Sequence, residues 1–454
     1  MLGDGMRKEQ FIEFVENNIL SLFTGSEIAG EEPSTPRDSI IAQGLGGSVL
    51  IKCKKTDNYR LNIKRIQPFK AFEISLIKNI LEELTHIQKF GLHTDYAERF
   101  QSYAIEKAIC KAIAYNNVQT LHELIHELTI WGDRTYEGKN ITFGFIITTK
   151  KASKNTNHNL HIKHMLAEDF SALLSNGKDT CLTLSADGYL TDYTPLPQIK
   201  DPNLFAPIKY LKIANLCTGN KIGVVLRENG DILLFKNKTL LFARNSGFWS
   251  CYSHEEIIDR LGDTRNHEDV DEIRKAIYLT ALDTAFERCG GCIVHLNKDE
   301  SFNVLRHIDA KDILLEPYYN KKVEDMLSQS FFFELTDQAK ENYDYKNFLQ
   351  QEQCTKTAAL QSVIKGKKFN ELNRKLRQEL LSIDGATIIN NDGTILAVGA
   401  IIKIEAGSSG GGRLAATKTL AKYGVAIKIS ADGSIQGFKM DRSKLRARPI
   451  FAIG

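Results

Sequence analysis

The pattern that most restricts this chain lies in its last third, where a helix runs directly into a buried strand three times. The stretch "DVDEIRKAIYLTALDTAFERCGGCIVHL" opens with acids suited to a helix N-terminus, and its apolar face runs through Ile273, Ala276, Ile277, Thr280, Ala281 and Ala285. It stops at Gly290, ahead of a strand Cys292 to Leu296. A second helix, Leu372 to Leu381, precedes a strand Ala386 to Asn390, and a third, Ala415 to Tyr423, precedes a strand Val425 to Ser430. A sheet fed repeatedly by helices covers its faces with helical layers, so the expected fold class is α/β, with this domain spanning 266–454. The charged, Gln- and Tyr-rich stretch between Asn297 and Asn370 reads as a helical insertion over one sheet edge.

Upstream the periodicity differs. Residues 1–147 read as a mainly helical N-terminal domain, with Ile77, Ile80, Leu81, Leu84 and Ile87 on one helix face and Val118, Leu121, Leu124, Ile125 and Leu128 on another. One hairpin is expected inside it, between Gly47 and Ile66. The polar run Thr148 to His164 marks a domain edge, and 165–262 reads as a β-hairpin-rich middle domain. "CLTLSADGYLTDY" and "GVVLRENGDILLF" are its clearest hairpins. The tetrapeptide Ser185 to Gly188 recurs as Ser430 to Gly433, which is either the trace of a duplication or the outcome of tight hairpins selecting Asp-Gly; the second account is favoured.

A chain of 454 residues with 42% hydrophobic content can bury several cores. Its net charge of +3 argues against a nucleic-acid coat or a membrane-surface protein. Eight scattered cysteines are too sparse for a disulfide scaffold and point to a reducing cytoplasm. No signal-like start and no long apolar run is present, so neither export nor a membrane partner is expected.

Two motifs carry chemistry. Asp384 stands between a helix end and a strand start and is followed by Gly385 and Ala386, leaving room beside a carboxylate for a polyanion held through a divalent cation. From spacing alone a plain Asp-Gly turn is the favoured reading. Downstream, Ser408, Ser409, Gly410, Gly411 and Gly412 lead into Arg413 at the head of a helix. Main-chain N–H groups and the dipole there suit phosphate, and a guanidinium adds a fork of donors. The order of residues matches neither a P-loop nor a dinucleotide fingerprint.

The stretch "RQELLSIDGATIINNDGTIL", followed by "GGGRLAATKTLAKYGVAIKISADGSIQGF", resembles the diadenylate cyclase domain, and "AFERCGGCIVHL" is similar to that domain's helix and first core strand. The resemblance implies a mixed sheet with helices on both faces. It also implies an ATP site in which two loaded domains face each other and condense two ATP into cyclic di-AMP and pyrophosphate. On that resemblance Asp384 and Arg413 would be catalytic, Asp384 would hold Mg or Mn, Gly385 and Ala386 would make room for the nucleotide, and Ser408 to Arg413 would hold phosphate. The family's Gly-Thr-Arg-His-Arg-Ala-Ala motif is degraded here. One alignment puts Arg413 in place of the histidine; another keeps it as the first arginine and loses the rest. The chain's layout is also similar to branches of the family predicted to be sensors. Two functions are therefore expected in parallel: a diadenylate cyclase-like nucleotidyltransferase that works as a homo-oligomer, or a catalytically inactive adenine-nucleotide sensor.

Other features read as structural. Cys289 and Cys292 form a single C-x-x-C and are expected to be small buried hydrophobes rather than zinc ligands, and His295 a core histidine. The basic tail Lys439, Arg442, Lys444, Arg446 and Arg448 lacks interleaved aromatics, so nucleic acid is not expected as a partner, nor is DNA scanning.

Overall fold

The computed structural model describes residues 8–35, 37–44, 46–52, 59–89, 97–152, 160–199, 202–262, 268–309, 312–314, 355–404, 411–441 and 443–454. Within them the chain is mixed α/β and divides into two compact units, one of Met1–Ile257 with Ile453–Gly454 and the other of Ile258–Ala452.

The first unit begins with α1 (Lys8–Val15) and an antiparallel sheet of β1 (Glu27–Pro33), β2 (Ile41–Gln43), β3 (Ser48–Ile51) and β4 (Tyr59–Lys64), in the order β1-β4-β3-β2. The hairpin expected between Gly47 and Ile66 is β3 with β4. Helices α2 (Ala71–Lys89), α3 (Ala97–Ile113) and α4 (Val118–Trp131) follow, then the short pair β5 (Thr135–Tyr136) and β6 (Lys139–Asn140). The stripe read on α4 is core: Leu121, Leu124, Ile125 and Leu128 are fully buried.

The chain then enters a seven-stranded sheet through β7 (Phe143–Ile147). After α5 (Ile162–Met165) come β8 (Thr180–Leu184) and β9 (Leu190–Pro195). After α6 (Leu211–Leu216) come β10 (Ile222–Leu226), β11 (Ile232–Lys236), β12 (Thr239–Asn245) and β13 (Phe248–Cys251). The order is β13-β12-β11-β10-β7-β8-β9. The hairpins expected from Asp-Gly and Asn-Gly are β8 with β9 and β10 with β11. The polar run 148–164, read as a domain edge between 1–147 and 165–262, lies inside this unit. The reason is pairing that local sequence does not announce: β7 is hydrogen-bonded to β8 on one side and to β10 on the other.

Helix α7 (His254–Arg260) spans the division between the units. The second unit holds α8 (Glu268–Phe286), β14 (Gly291–Leu296), α9 (Ser301–Leu305), α10 (Thr355–Ile364), α11 (Arg374–Leu381), β15 (Ala386–Ile389) and β16 (Ile395–Ala400). It continues with α12 (Gly412–Leu420), β17 (Gly424–Ile429), β18 (Ile435–Asp441) and β19 (Arg446–Ile453). Its six-stranded sheet has the order β16-β15-β14-β17-β18-β19, with β14 parallel to β15 and antiparallel to β17. The sheet is therefore mixed.

Side chains alternate across a strand. Cys292, Val294 and Leu296 form one core with Leu420 and Ala421 at the end of α12 and with Val304 and Leu305 of α9. Helices α8 and α11 contact each other and the sheet and contribute nothing to that core, so helices cover both faces. Arg374 of α11 makes a two-pronged ion pair with Asp283 of α8, at 2.7 and 2.8 Å, with both side chains almost fully buried. Of the expected insertion, Ile313 bridges to Ala397 and Ile308 to Ile402 at the β16 edge, whereas α9 packs into the core on a sheet face. Residues 315–354 of that insertion are outside the described residues.

Candidate functional site

Topology brings the two motifs to one place. Because β14 and β15 are parallel, with Cys292 opposite Ala386, their starting ends lie side by side. Helix α12 leads into β17, which runs antiparallel to β14, so the helix head returns to that same end of the sheet. Arg413, in the first turn of α12, places Nη2 3.8 Å from Oδ1 of Asp384. The Asp384 side chain is 88% exposed and that of Arg413 47%, so the pair is solvated and both groups are open to a ligand.

The position of Asp384 is set by two interlocked glycines. Gly385 has φ of +112°, and a Cβ there would lie 2.4 Å from the carbonyl carbon of Gly399 on β16. Gly399 has φ of +59°, and its own Cβ would lie 2.5 Å from Cγ2 of Ile383 and 2.9 Å from the carbonyl oxygen of Asp384. Where these backbones meet, the β15–β16 ladder is interrupted between Ala386 and Ile388. An extra residue in an edge strand bends it and turns neighbouring side chains to new directions, which is the usual consequence of a bulge. Ala386 itself is buried, paired with Ala400 and Cys292 beneath the site.

The head of α12 is built of glycine. Gly411 caps it with φ of +84°, and a Cβ on Gly411 or Gly412 would meet no atom within 4 Å. An anion at the helix's first N–H groups is favoured by the dipole. Ser408, Ser409 and Gly410, read with them as a phosphate loop, are outside the described residues.

Besides Gly399, two contributors are not legible in the sequence as part of the site. Gly290 was taken only as a helix stop, yet a Cβ there would lie 2.2 Å from Nη1 of Arg413, so its missing side chain seats the guanidinium. Lys356 of α10 donates to the carbonyl of Gly399 at 2.7 Å and to Oδ1 of Asp312 at 2.9 Å, while Oδ2 of Asp312 accepts from Ile401 N at 3.2 Å. Its ammonium thus borders the Asp384 turn as a second cation. No spacing links Lys356 to Asp384, because α10 reaches the β16 edge only through the fold.

Cys292 lies beneath Arg413. Thr417 Oγ1 donates to the Arg413 carbonyl at 2.7 Å and is 3.3 Å from Cys292 Sγ. Burial pushes the Cys292 thiol up to about 11, so it is a neutral packing group at pH 7, whereas Cys289, read with it as a buried hydrophobe, is only half-buried. His295 is buried on β14 beside the Leu261 carbonyl, with burial lowering its pKa, and serves the core rather than the site.

Among the described residues no group of three or more His, Cys, Asp or Glu side chains is gathered to hold a metal ion. A divalent cation on Asp384 would take its other oxygens from a ligand and water, which is the habit of magnesium at phosphate sites. Among the described residues no helix is long and apolar enough to cross a membrane. Compared with known protein families the chain matches none of their sequence models, and no curated protein matches it.

Proposed function

We propose that the second unit is a diadenylate cyclase-like domain that binds an adenine nucleotide with Mg or Mn. The observation that carries this reading is the approach of Arg413 to Asp384 at the glycine head of α12, with glycines at 290, 385, 399, 411 and 412 around them. A carboxylate for a cation, a guanidinium for phosphate oxygens and a helix N-terminus built of glycine suit a metal-bound triphosphate. The likeness of Asp384, Gly385 and Ala386 to the family's Asp-Gly-Ala motif supports adenine nucleotide over other polyanions.

In the catalytic form of this reading, Asp384 holds the cation and orients a ribose 3′-hydroxyl, and Arg413 neutralises phosphate charge. The 3′-oxygen of each of two ATP molecules attacks the α-phosphorus of the other, and each attack expels pyrophosphate. Two copies of the chain must then face each other. The sensor form is favoured by the exposure of the pair: donors that accelerate such transfers are held preorganised away from water, and Asp384 and Arg413 are solvated.

Incubation of the full chain with ATP and Mn²⁺, followed by chromatography of the nucleotides, separates the forms. Cyclic di-AMP that disappears in Asp384→Asn establishes the cyclase. Nucleotide-dependent thermal stabilisation without product establishes the sensor. If neither turnover nor stabilisation is seen, the nucleotide reading is wrong.

A further inference from the structure

We infer that the chain carries one fold twice, and that only the second copy keeps a glycine-lined gap beside its carboxylate, so that a single nucleotide binds per chain. The ligand class rests on the reading above; the duplication does not. The second unit's strand order, β16-β15-β14-β17-β18-β19, is reproduced strand for strand by β9-β8-β7-β10-β11-β12 of the first unit. The directions agree as well. The central pair is parallel in both (β7 with β8, β14 with β15), and the flanking pairs are antiparallel (β8–β9 and β15–β16, β7–β10 and β14–β17, β10–β11 and β17–β18). Helices α6 and α12 precede equivalent strands and pack on them. Helix α4 contacts β11 as α8 contacts its counterpart β18.

The registers fit residue by residue. In the β8–β9 turn Ser185 N donates to Tyr189 O and Gly188 N to Ser185 O; in the β15–β16 turn Asn390 N donates to Thr394 O and Gly393 N to Asn390 O. Both ladders slip at the same place, between Thr183 and Leu184 and between Ile388 and Ile389. The tetrapeptide repeat noted in the sequence is not this duplication. Ser185 corresponds to Asn390, whereas Ser430 corresponds to Arg227 of the β10–β11 turn, where Arg227 N donates to Asp231 O as Ser430 N does to Ser434 O.

On this register Asp384, Gly385 and Ala386 correspond to Asp179, Thr180 and Cys181. The carboxylate is retained, and a cation from the first turn of the following helix again faces it, Lys212 at 2.8 Å. The Asp179 side chain is itself 68% exposed, so the difference lies in the main chain around it. Thr180 pairs regularly with Pro195, Cys181 with Thr194, Leu182 with Tyr193 and Thr183 with Asp192, so the first copy lacks the residue that Gly399 inserts into β16. The loop before β8 is folded onto the strand start. A Cβ on Gly144, the counterpart of Cys292, would lie 2.3 Å from Cα of Gly177, and Gly144 N donates to Ser175 Oγ. Asn176 Oδ1 accepts from the N–H groups of Lys178, Asp179 and Thr180, holding that loop closed on itself. At the head of α6 stand buried Tyr210 and Leu211 instead of glycines.

The test is photoaffinity labelling of the full chain with an azido-ATP and Mn²⁺, with labelled peptides mapped by mass spectrometry and label counted per chain. One label per chain, confined to the second unit, lost at least tenfold in Asp384→Asn and unchanged in Asp179→Asn and Lys212→Ala, is the expected result. Label on residues 176–212, or two labels per chain, would overturn the single-site assignment while leaving nucleotide binding intact. Absence of label on the unaltered chain would overturn the nucleotide reading and the site assignment together.

Discussion

Replacing Gly385 by alanine tests the interlock that positions Asp384. The new Cβ would lie 2.4, 2.7 and 2.8 Å from the Gly399 carbonyl carbon, its oxygen and the Ala400 nitrogen. All three are backbone atoms of the neighbouring strand and cannot rotate aside, so β15 and β16 must separate or the turn must change its φ of +112°. Backbone strain at such a φ costs about 1–3 kcal/mol, and forcing a methyl into a packed contact costs about 1–3 kcal/mol more. We expect a loss of about 4 kcal/mol from the second unit, or roughly 8–16 °C in its melting transition at the sensitivity usual for a unit of its size. Differential scanning calorimetry reads this directly. Gly412→Ala is the control: its Cβ meets nothing within 4 Å and its φ is unexceptional, so it should be neutral or stabilising by about 0.5 kcal/mol. A loss below about 1 kcal/mol for Gly385→Ala would refute the interlock and with it the account of how Asp384 is aimed.

Arg413→Ala should weaken nucleotide binding about tenfold, as expected for the loss of a charge-assisted hydrogen bond, with little change in the melting temperature of the free protein; isothermal titration calorimetry with Mn²⁺–ATP checks both. Asp283→Ala leaves Arg374 charged and buried without its two-pronged partner, and should cost about 3–5 kcal/mol in urea unfolding of the second unit. The pKa of His295 lies below its ordinary value because burial disfavours the charged ring. The unfolded chain therefore binds a proton more readily than the folded one. The stability this histidine permits is fully present above the unfolded value, about 6.5, and falls as pH drops through it toward the lower folded value. Urea midpoints at pH 7.5 and 5.5 should differ less in His295→Gln than in the unaltered chain.

The opening helix-to-strand pattern was legible because it is local. The face from Ile273 to Ala285 is buried as read, and observed element ends fall within a few residues of those expected. The Asp-Gly and Asn-Gly hairpins were equally legible, since positive φ at a tight turn is a demand on one or two residues. The edge placed at 148–164 was not, because β7 joins strands that follow it by more than thirty and seventy residues, and no local signal records such pairings. Asp384, Gly385, Ala386 and Arg413 could be named from motif and resemblance, whereas Gly290, Gly399 and Lys356 could not, since each matters only through an atom brought to it from a distant segment.

The duplication marks the same division. Sequence offered a repeated Ser-Ala-Asp-Gly that sits in different hairpins of the two copies, while the true correspondence survives in strand order, direction and a shared register slip. By itself, then, the sequence determined which segments are helices, strands and turns, because those choices depend on periodicity and on φ preferences within a few residues. Which strands are neighbours, that Asp384 and Arg413 meet, and that the main chain opens beside one carboxylate and closes beside its counterpart were decided by tertiary structure. These depend on hydrogen-bond registers between segments far apart in the chain, where one inserted glycine changes the outcome.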